Sequence, residues 1–193
     1  MRIHRLVVAT KNQDKLPEIE AVLLGLGLVG EIVAGLDWPD VEETEPTLEG
    51  NALLKAQSVV TALGLPALAD DTGLEVAALD GAPGVRSARY AGGAASYADN
   101  VRLLLENLAG ESDRSARFRT VMALVMPGEE DVLAEGVLEG HIIFSPRGES
   151  GFGYDPVFDV DGRTLAEMGP DEKNRISHRG RAIRALAEEL RRR

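Results

Sequence analysis

A strand-like apolar run at residues 6–9 gives way to Thr10-Lys11-Asn12-Gln13-Asp14-Lys15, after which Leu16, Ile19, Leu23 and Leu24 recur at helical spacing. A polar loop between a strand and a helix start exposes backbone N–H groups at the positive helix end, which suits an anion. A lysine there adds a point charge able to reach a phosphate. The glycines of a Walker loop are absent. The same residues would also serve as a polar helix cap with a solvated lysine.

Three further groups carry comparable chemistry. Glu42 and Glu43 stand in an acidic loop, and Asp70-Asp71 follow the apolar residues 67–69. Hard cations such as Mg²⁺ take one or two carboxylates plus water and substrate phosphates, although either pair would also make a solvated turn. Two adjacent aspartates repel, so burying both requires a cation, a basic neighbour or a shared proton. Lys173 and Ser177-His178-Arg179-Gly180 lie immediately before and within the start of a C-terminal helix. Positive side chains there oppose the helix dipole, which implies a negative partner unless they are exposed residues behind a serine cap.

Finally, Ser150-Gly151-Phe152-Gly153-Tyr154-Asp155-Pro156 sets two aromatics among glycines in a chain that is 4% aromatic. Such a loop could stack a base, or form a tight turn with one core aromatic. A phosphate anchor, metal ligands, a stacking surface and a second basic cluster together equip a protein to hydrolyse a nucleoside triphosphate.

The elements that position these groups follow from periodicity and punctuation. Strand, loop and helix open the chain, with Pro17 tolerated in the helix's first turn. A short strand is expected around residues 31–34 and a helix over 47–63, closed by Gly64. The run 67–69 reads as a strand ending in the polar turn Asp70-Asp71-Thr72-Gly73, with 74–76 returning. A Gly/Pro-rich loop covers 81–94, and a helix starts near Ser96 and continues through 101–108. Segments 116–126 and 132–144, joined by Pro127-Gly128-Glu129-Glu130, form an expected antiparallel hairpin. A Gly-rich loop at 148–154, a strand at 156–159 and a helix from His178 to about Arg192, capped by Ser177, complete the reading.

With 193 residues, 44% of them hydrophobic, the chain suits one α/β domain over residues 1–193, or two lobes sharing one sheet. It has no cysteine and three scattered histidines, which excludes disulfides and thiolate sites and leaves any metal among oxygens. The apolar runs are too short for a bilayer span and the opening residues do not form a signal-peptide core, so no membrane partner and a cytoplasmic location are expected. A net charge of −11 disfavours a nucleic-acid partner and favours one small nucleotide in a local basic site.

The chain as a whole resembles the inosine triphosphate pyrophosphatase family, the non-canonical purine NTP pyrophosphatases or Ham1-like proteins. The resemblance runs nearly end to end. It is carried by Ala9-Thr10-Lys11-Asn12 with Lys15 and Glu18, Glu42-Glu43-Thr44 with Asn51-Ala52 and Lys55-Ala56, and Ala69-Asp70-Asp71-Thr72-Gly73-Leu74. It continues in Gly81-Ala82-Pro83-Gly84 with Ser87-Ala88-Arg89-Tyr90, residues 151–156, and Lys173 with residues 176–180.

The resemblance implies a long mixed sheet flanked by helices, two lobes with a central nucleotide cleft, and a homodimer. It implies hydrolysis of ITP, dITP and XTP to the monophosphate and pyrophosphate. Thr10, Lys11, Asn12, Gln13, Asp14 and Lys15 would hold the triphosphate with Lys55, and Glu43 with Asp71 would bind Mg²⁺. Asp71 would also be the general base. Thr72 stands where serine is commoner and keeps the hydroxyl. Phe152, Gly153, Tyr154, Asp155, Lys173, His178 and Arg179 would form the base pocket, and buried donors facing the 6-keto oxygen would favour hypoxanthine and xanthine over adenine. Residues 45–50 depart from the family pattern, lacking a glycine after Glu-Thr and a glutamate before Asn51. The alternatives are a Maf-like pyrophosphatase acting on pyrimidine triphosphates, against which the Ser-His-Arg segment and the Phe-Gly-Tyr-Asp loop argue, and a nucleotide-binding module without turnover.

Overall fold

The chain is described by a computed structural model over residues 3–10, 12–33 and 36–192, which leaves Lys11 outside the described residues. The fold is α/β, an open mixed sheet of eight strands with five α-helices among the described residues. The strand order is β2 (Val29–Val33), β1 (Ile3–Val8), β3 (Ala67–Val76), β5 (Ser115–Val125), β6 (Val132–Ile142), β7 (Phe158–Val160) and β8 (Arg163–Thr164), with β4 (Pro83–Gly84) paired to β3. The chain forms two compact units. The first comprises residues 1–71, 120–136 and 178–193, and the second residues 72–119 and 137–177.

In the first unit, β1 (Ile3–Val8) lies between two parallel neighbours, β2 (Val29–Val33) and the start of β3 (Ala67–Val76). A strand flanked on both sides and covered by helices buries a continuous apolar run, and Leu6, Val7 and Val8 are all buried. Leaving β1, the chain passes through α1 (Leu16–Gly25) to β2 on one side and later returns as β3 on the other. The carboxyl end of β1, where the connections diverge to β2 and β3, is therefore a topological switch point, where open α/β sheets bind ligands. Val8 is in register with Leu68, and the Ala9 N–H donates to the Leu68 carbonyl at 2.7 Å. The loop from Thr10 consequently leaves the sheet beside the β3 segment that carries Asp70 and Asp71.

The helices of this unit are set by their caps and stripes. Thr47 caps α2 (Leu48–Leu63) by accepting from the Gly50 N–H at 3.1 Å, and Gly64 ends it in the left-handed conformation at φ 66°. Leu48, Asn51, Ala52, Ala56 and Val59 form its buried stripe. In α5 (His178–Arg192), Ala182, Ile183, Leu186, Ala187 and Leu190 pack with Ile19 and Leu23 of α1 and with Met122, Leu124 and Val132 in one core.

The second unit has its own core, in which Phe118 and Phe158 lie with ring centroids 4.6 Å apart among Leu74, Leu104, Leu138 and Ile142. Ser96 caps α3 (Tyr97–Asn107) in a capping box with Asp99. Strands β5 (Ser115–Val125) and β6 (Val132–Ile142) are neighbours in the sheet. Their connection is too short for a parallel crossover, so they form the expected hairpin. Among the described residues no helix is long and apolar enough to cross a membrane.

Three expectations need correction. Residues 67–76 form one continuous strand with no turn at Asp70-Asp71-Thr72-Gly73. Turn propensity loses because both aspartates find cationic partners and Gly73 lets β4 (Pro83–Gly84) approach: a Cβ at Gly73 would lie 2.9 Å from the Gly84 carbonyl oxygen. Lys173 lies on a separate short helix, α4 (Pro170–Ile176), opened by proline in its first turn, with Ser177 the junction to α5. The strand expected at 156–159 is β7 (Phe158–Val160), which pairs with β8 (Arg163–Thr164).

Gly136 of β6 determines how closely α5 sits. A Cβ there would be driven into the His178 carbonyl oxygen and the Ala182 backbone nitrogen, the two ends of the first helical hydrogen-bond position of α5, and would lie 2.9 Å from Arg181 Cβ. Gly136→Ala is expected to destabilise the protein by about 1–3 kcal/mol through overpacking. Urea unfolding measures this, and an unchanged midpoint would show that α5 does not rest on β6.

Candidate active site

The loop after β1 is organised by its own polar side chains. Thr10 Oγ1 accepts from the Asn12 N–H at 3.2 Å, Asn12 Oδ1 accepts from the Asp14 N–H at 2.9 Å, and the Lys15 N–H donates to the Asn12 carbonyl at 3.2 Å. Asn turns of this kind hold successive N–H groups in one place. Gln13 and Asp14 are exposed, and no side chain caps the first turn of α1. Lys15 is not solvated: its Nζ donates to Asp70 Oδ2 at 3.1 Å.

Asp70 and Asp71 are adjacent on a strand, so their side chains leave opposite sides of β3 and find different partners. Asp70, 2% exposed, receives Lys15 and also Arg179, whose Nε and Nη2 each donate to Oδ2 at 3.4 Å. Arg179, 1% exposed, donates through Nη1 to Glu18 of α1. The negative partner implied for the basic start of α5 is therefore this pair of carboxylates, Glu18 and Asp70.

Asp71 faces α2. Its Oδ1 accepts from Lys55 Nζ at 3.1 Å and its Oδ2 from Asn51 Nδ2 at 3.3 Å. The same Lys55 ammonium donates to Glu43 Oε1 at 2.8 Å. Glu42 is exposed and is not drawn in. Asn51 is fully buried and also braces the acidic loop, accepting from the Glu45 N–H at 3.0 Å and donating to the Glu45 carbonyl at 3.2 Å. That brace holds residues 45–50 where their sequence departs from the family pattern.

These surroundings push the two aspartates apart in acidity. Burial alone would raise Asp70, but Lys15, Arg179 and Lys55 together hold it far below the ordinary carboxylate range. Asp71 is raised: burial dominates, the Glu43 charge adds to it, and Lys55 only partly opposes. Burial also lowers Lys15 despite Asp70, whereas the carboxylates around Lys55 outweigh its burial and raise it. Neighbouring acids with opposed environments take different roles. Asp70 is a fixed charge, and Asp71 is the group with proton affinity to use.

Glu43 and Asp71 already share one cation, the Lys55 ammonium, so their oxygens converge on one place. Two carboxylates so placed fit Mg²⁺, which leaves most of its coordination to water and phosphate oxygens. No cluster of three or more acidic, histidine or cysteine ligands occurs among the described residues.

The second unit carries the aromatic loop. Asp155, 3% exposed, accepts at Oδ2 from the Phe152 N–H at 2.8 Å and from Lys173 Nζ at 2.7 Å. Gly151, at φ 76°, leaves the space that this oxygen occupies. The Lys173 ammonium lies 4.7 Å from the Phe152 ring centroid, a cation–π contact. Tyr154 is a core residue whose hydroxyl donates to the Ser87 carbonyl at 2.9 Å, whereas the half-buried Phe152 ring lies 6.1 Å from that of Tyr97. Gly153, at φ 63°, separates the two aromatics. Thr72 follows Asp71 in β3.

His178 is buried at the start of α5, and its Nδ1 lies 2.6 Å from Thr120 Oγ1 of β5. Sequence reasoning assigns chemistry to neither Asn51 nor Thr120. Their signal is slight: an asparagine on the apolar stripe of α2 and a threonine opening the buried run of β5.

Asp70→Asn would leave Lys15 and Arg179 buried without their shared anion. It is expected to cost about 3–5 kcal/mol of unfolding free energy at pH 7, measured by urea unfolding. A carboxylate depressed in the folded state contributes above its unfolded pKa of about 3.9 and loses that contribution as pH falls towards its folded value. The deficit should therefore persist down to about pH 4 and shrink below it. Equal midpoints at pH 7 would contradict the assignment.

Comparison with known proteins accords with this architecture. The model of the Ham1 family matches residues 6–189. A dITP/XTP pyrophosphatase of Symbiobacterium thermophilum is 51% identical, covering 96% of this chain and 94% of its own length. One of Exiguobacterium sp. is 48% identical, covering 96% of each. The solved structure of a HAM1 protein from Coxiella burnetii superposes with a TM-score of 0.88 at 44% identity, over 99% of this chain and all of the other. Family model, near-complete coverage and shared fold agree: the chain belongs to the Ham1 family.

Proposed function

We infer that this protein is a nucleoside-triphosphate pyrophosphatase, hydrolysing non-canonical purine nucleotides such as ITP, dITP and XTP to the monophosphate and pyrophosphate. The observation that carries the chemistry is the split pair on β3, with Asp70 locked as an anion between Lys15 and Arg179 and Asp71 raised in proton affinity beside Lys55, Asn51 and Glu43. The purine class is supported by the dITP/XTP pyrophosphatases that match nearly the whole chain.

In this reading the N–H groups of residues 10–15, with Lys15 and Lys55, bind the triphosphate. Asp71 is the general base: it takes a proton from a water that attacks the α-phosphorus. The bond from that phosphorus to the bridging oxygen breaks, and pyrophosphate leaves with the electron pair. Asn51 and Lys55 hold the two Asp71 oxygens and so orient it. Glu43 and Asp71 would hold Mg²⁺, which when bound would neutralise phosphate charge. Phe152 stacks the base, with Lys173 and Asp155 setting its loop. The enzyme works as a homodimer in the cytoplasm, and light scattering in solution tests the dimer.

The deciding experiment is pyrophosphate release with Mg²⁺ from ITP, XTP, GTP, ATP and dTTP, compared as kcat/KM. ITP and XTP should lead. Turnover that is broad or favours dTTP would keep the hydrolytic chemistry and discard the purine assignment, and no turnover would favour a binding module. Asp71→Asn should lower kcat by a factor of about 10²–10⁴ with little change in nucleotide binding by calorimetry. Near-normal kcat would remove Asp71 as the base. Chelation of divalent metal should abolish turnover and added Mg²⁺ restore it.

A further inference from the structure

Two carboxylates from different parts of the first unit meet at one ammonium. Lys55 Nζ donates to Glu43 Oε1 at 2.8 Å and to Asp71 Oδ1 at 3.1 Å. Lys55 and Glu43 are half-buried and Asp71 is buried, so water screens these charges less than it would at the surface. An ammonium resting on two carboxylates repels a divalent cation drawn to the same oxygens. We propose that Lys55 is a place-holder for the divalent metal: its ammonium bridges Glu43 and Asp71 in the metal-free protein and gives up Glu43 when metal and nucleotide bind together. This rests on the reading of Glu43 and Asp71 as the carboxylates that hold Mg²⁺.

Two features set the arrangement apart from an ion pair that only braces the fold. One ammonium against two carboxylates leaves negative charge in excess, so the place still attracts a further cation. The carboxylates also have a support that is not Lys55. Asn51, four positions earlier on the same side of α2, donates through Nδ2 to Asp71 Oδ2 at 3.3 Å. Its amide also accepts from the Glu45 N–H at 3.0 Å and donates to the Glu45 carbonyl at 3.2 Å, which fixes the loop two residues beyond Glu43. Lys55 can therefore leave Glu43 without dispersing the pair.

The consequence is a coupling between two ligands. A lysine ammonium carries three N–H donors, so one can stay on Asp71 while the one released from Glu43 turns to a phosphate oxygen. Free metal has to displace the ammonium from Glu43 with nothing to receive it. Metal arriving with nucleotide brings the phosphate that does. Each ligand then raises the affinity for the other, and the site resists loading by metal alone.

Mn²⁺ takes the same oxygen ligands as Mg²⁺, and the loss of its free signal in electron paramagnetic resonance measures binding without nucleotide. Lys55→Met, which keeps the length of the stem and removes the charge, should bind Mn²⁺ about tenfold more tightly than the unaltered protein. Equal or weaker binding would overturn the proposal and leave Lys55 a brace. Asp71→Asn should weaken Mn²⁺ binding; if it does not, the metal lies elsewhere, and the assignment of Glu43 and Asp71 falls together with the place-holder. A retained Asp71 effect without tightening in Lys55→Met strikes the place-holder alone. The unaltered protein gives a second test that stands even if Lys55→Met fails to fold. A scalar coupling passed through the hydrogen bond should join Lys55 Nζ to the Glu43 carboxyl carbon in the metal-free protein, and vanish when Mg²⁺ and a non-hydrolysable ITP analogue saturate the site. A coupling that persists at saturation would show that the ammonium never leaves Glu43, and the proposal would fall.

Discussion

Two aspartates buried next to each other would repel strongly in a medium of low dielectric, and the first unit is arranged around making that tolerable. Lys15 arrives from the start of α1, Arg179 from the first turn of α5, and Lys55 from the middle of α2. Each helix presents its cation to β3 only because its apolar stripe packs in a defined rotation. The charges and the core therefore specify the same geometry. Glu18 extends the pattern by neutralising the second side of Arg179, so cations and carboxylates alternate through the interior.

The alternation also separates two jobs that identical side chains could not otherwise share. Asp70 meets two cations and stays ionised, so its charge serves as a constant that organises Lys15 and Arg179. Asp71 shares its single cation with Glu43 and keeps a higher proton affinity. A strand residue alternates sides with its neighbour, so adjacency in sequence is what gives the two carboxylates different surroundings. A turn at that position, which their composition favours, would have placed both in solvent and removed the distinction.

The elements legible in the sequence were those decided locally. Thr47 and Gly64 bracket α2, Ser96 and Asp99 open α3, and Pro127-Gly128 joins β5 to β6, each through contacts between residues close in the chain. The missed features were decided elsewhere. The continuity of β3 depends on the cations Lys15, Lys55 and Arg179 and on Gly73, which lets β4 approach. Helix α4 has too few residues to show a period. Arg179 and Glu18 stand 161 positions apart, and Thr120 and His178 58, distances over which composition carries no pairing information. The basic start of α5 did imply a negative partner; only the structure identifies it as Glu18 with Asp70.

That basic start can be weighed against what it opposes. A cation in the first turn of a helix loses about 0.3–1 kcal/mol against the dipole at an exposed site. Leaving a buried charge without its partner costs about 3–5 kcal/mol, so once Arg179 is buried its pairing with Glu18 and Asp70 matters more than the helix end it opposes. The first turn is held from the sheet as well: Gly136 of β6 lets its backbone come into contact, and Thr120 of β5 meets the His178 ring. A helix end fixed by two strands and two carboxylates has little freedom to rotate. The position of the His178 ring is therefore set jointly by β5, β6 and the carboxylates of α1 and β3.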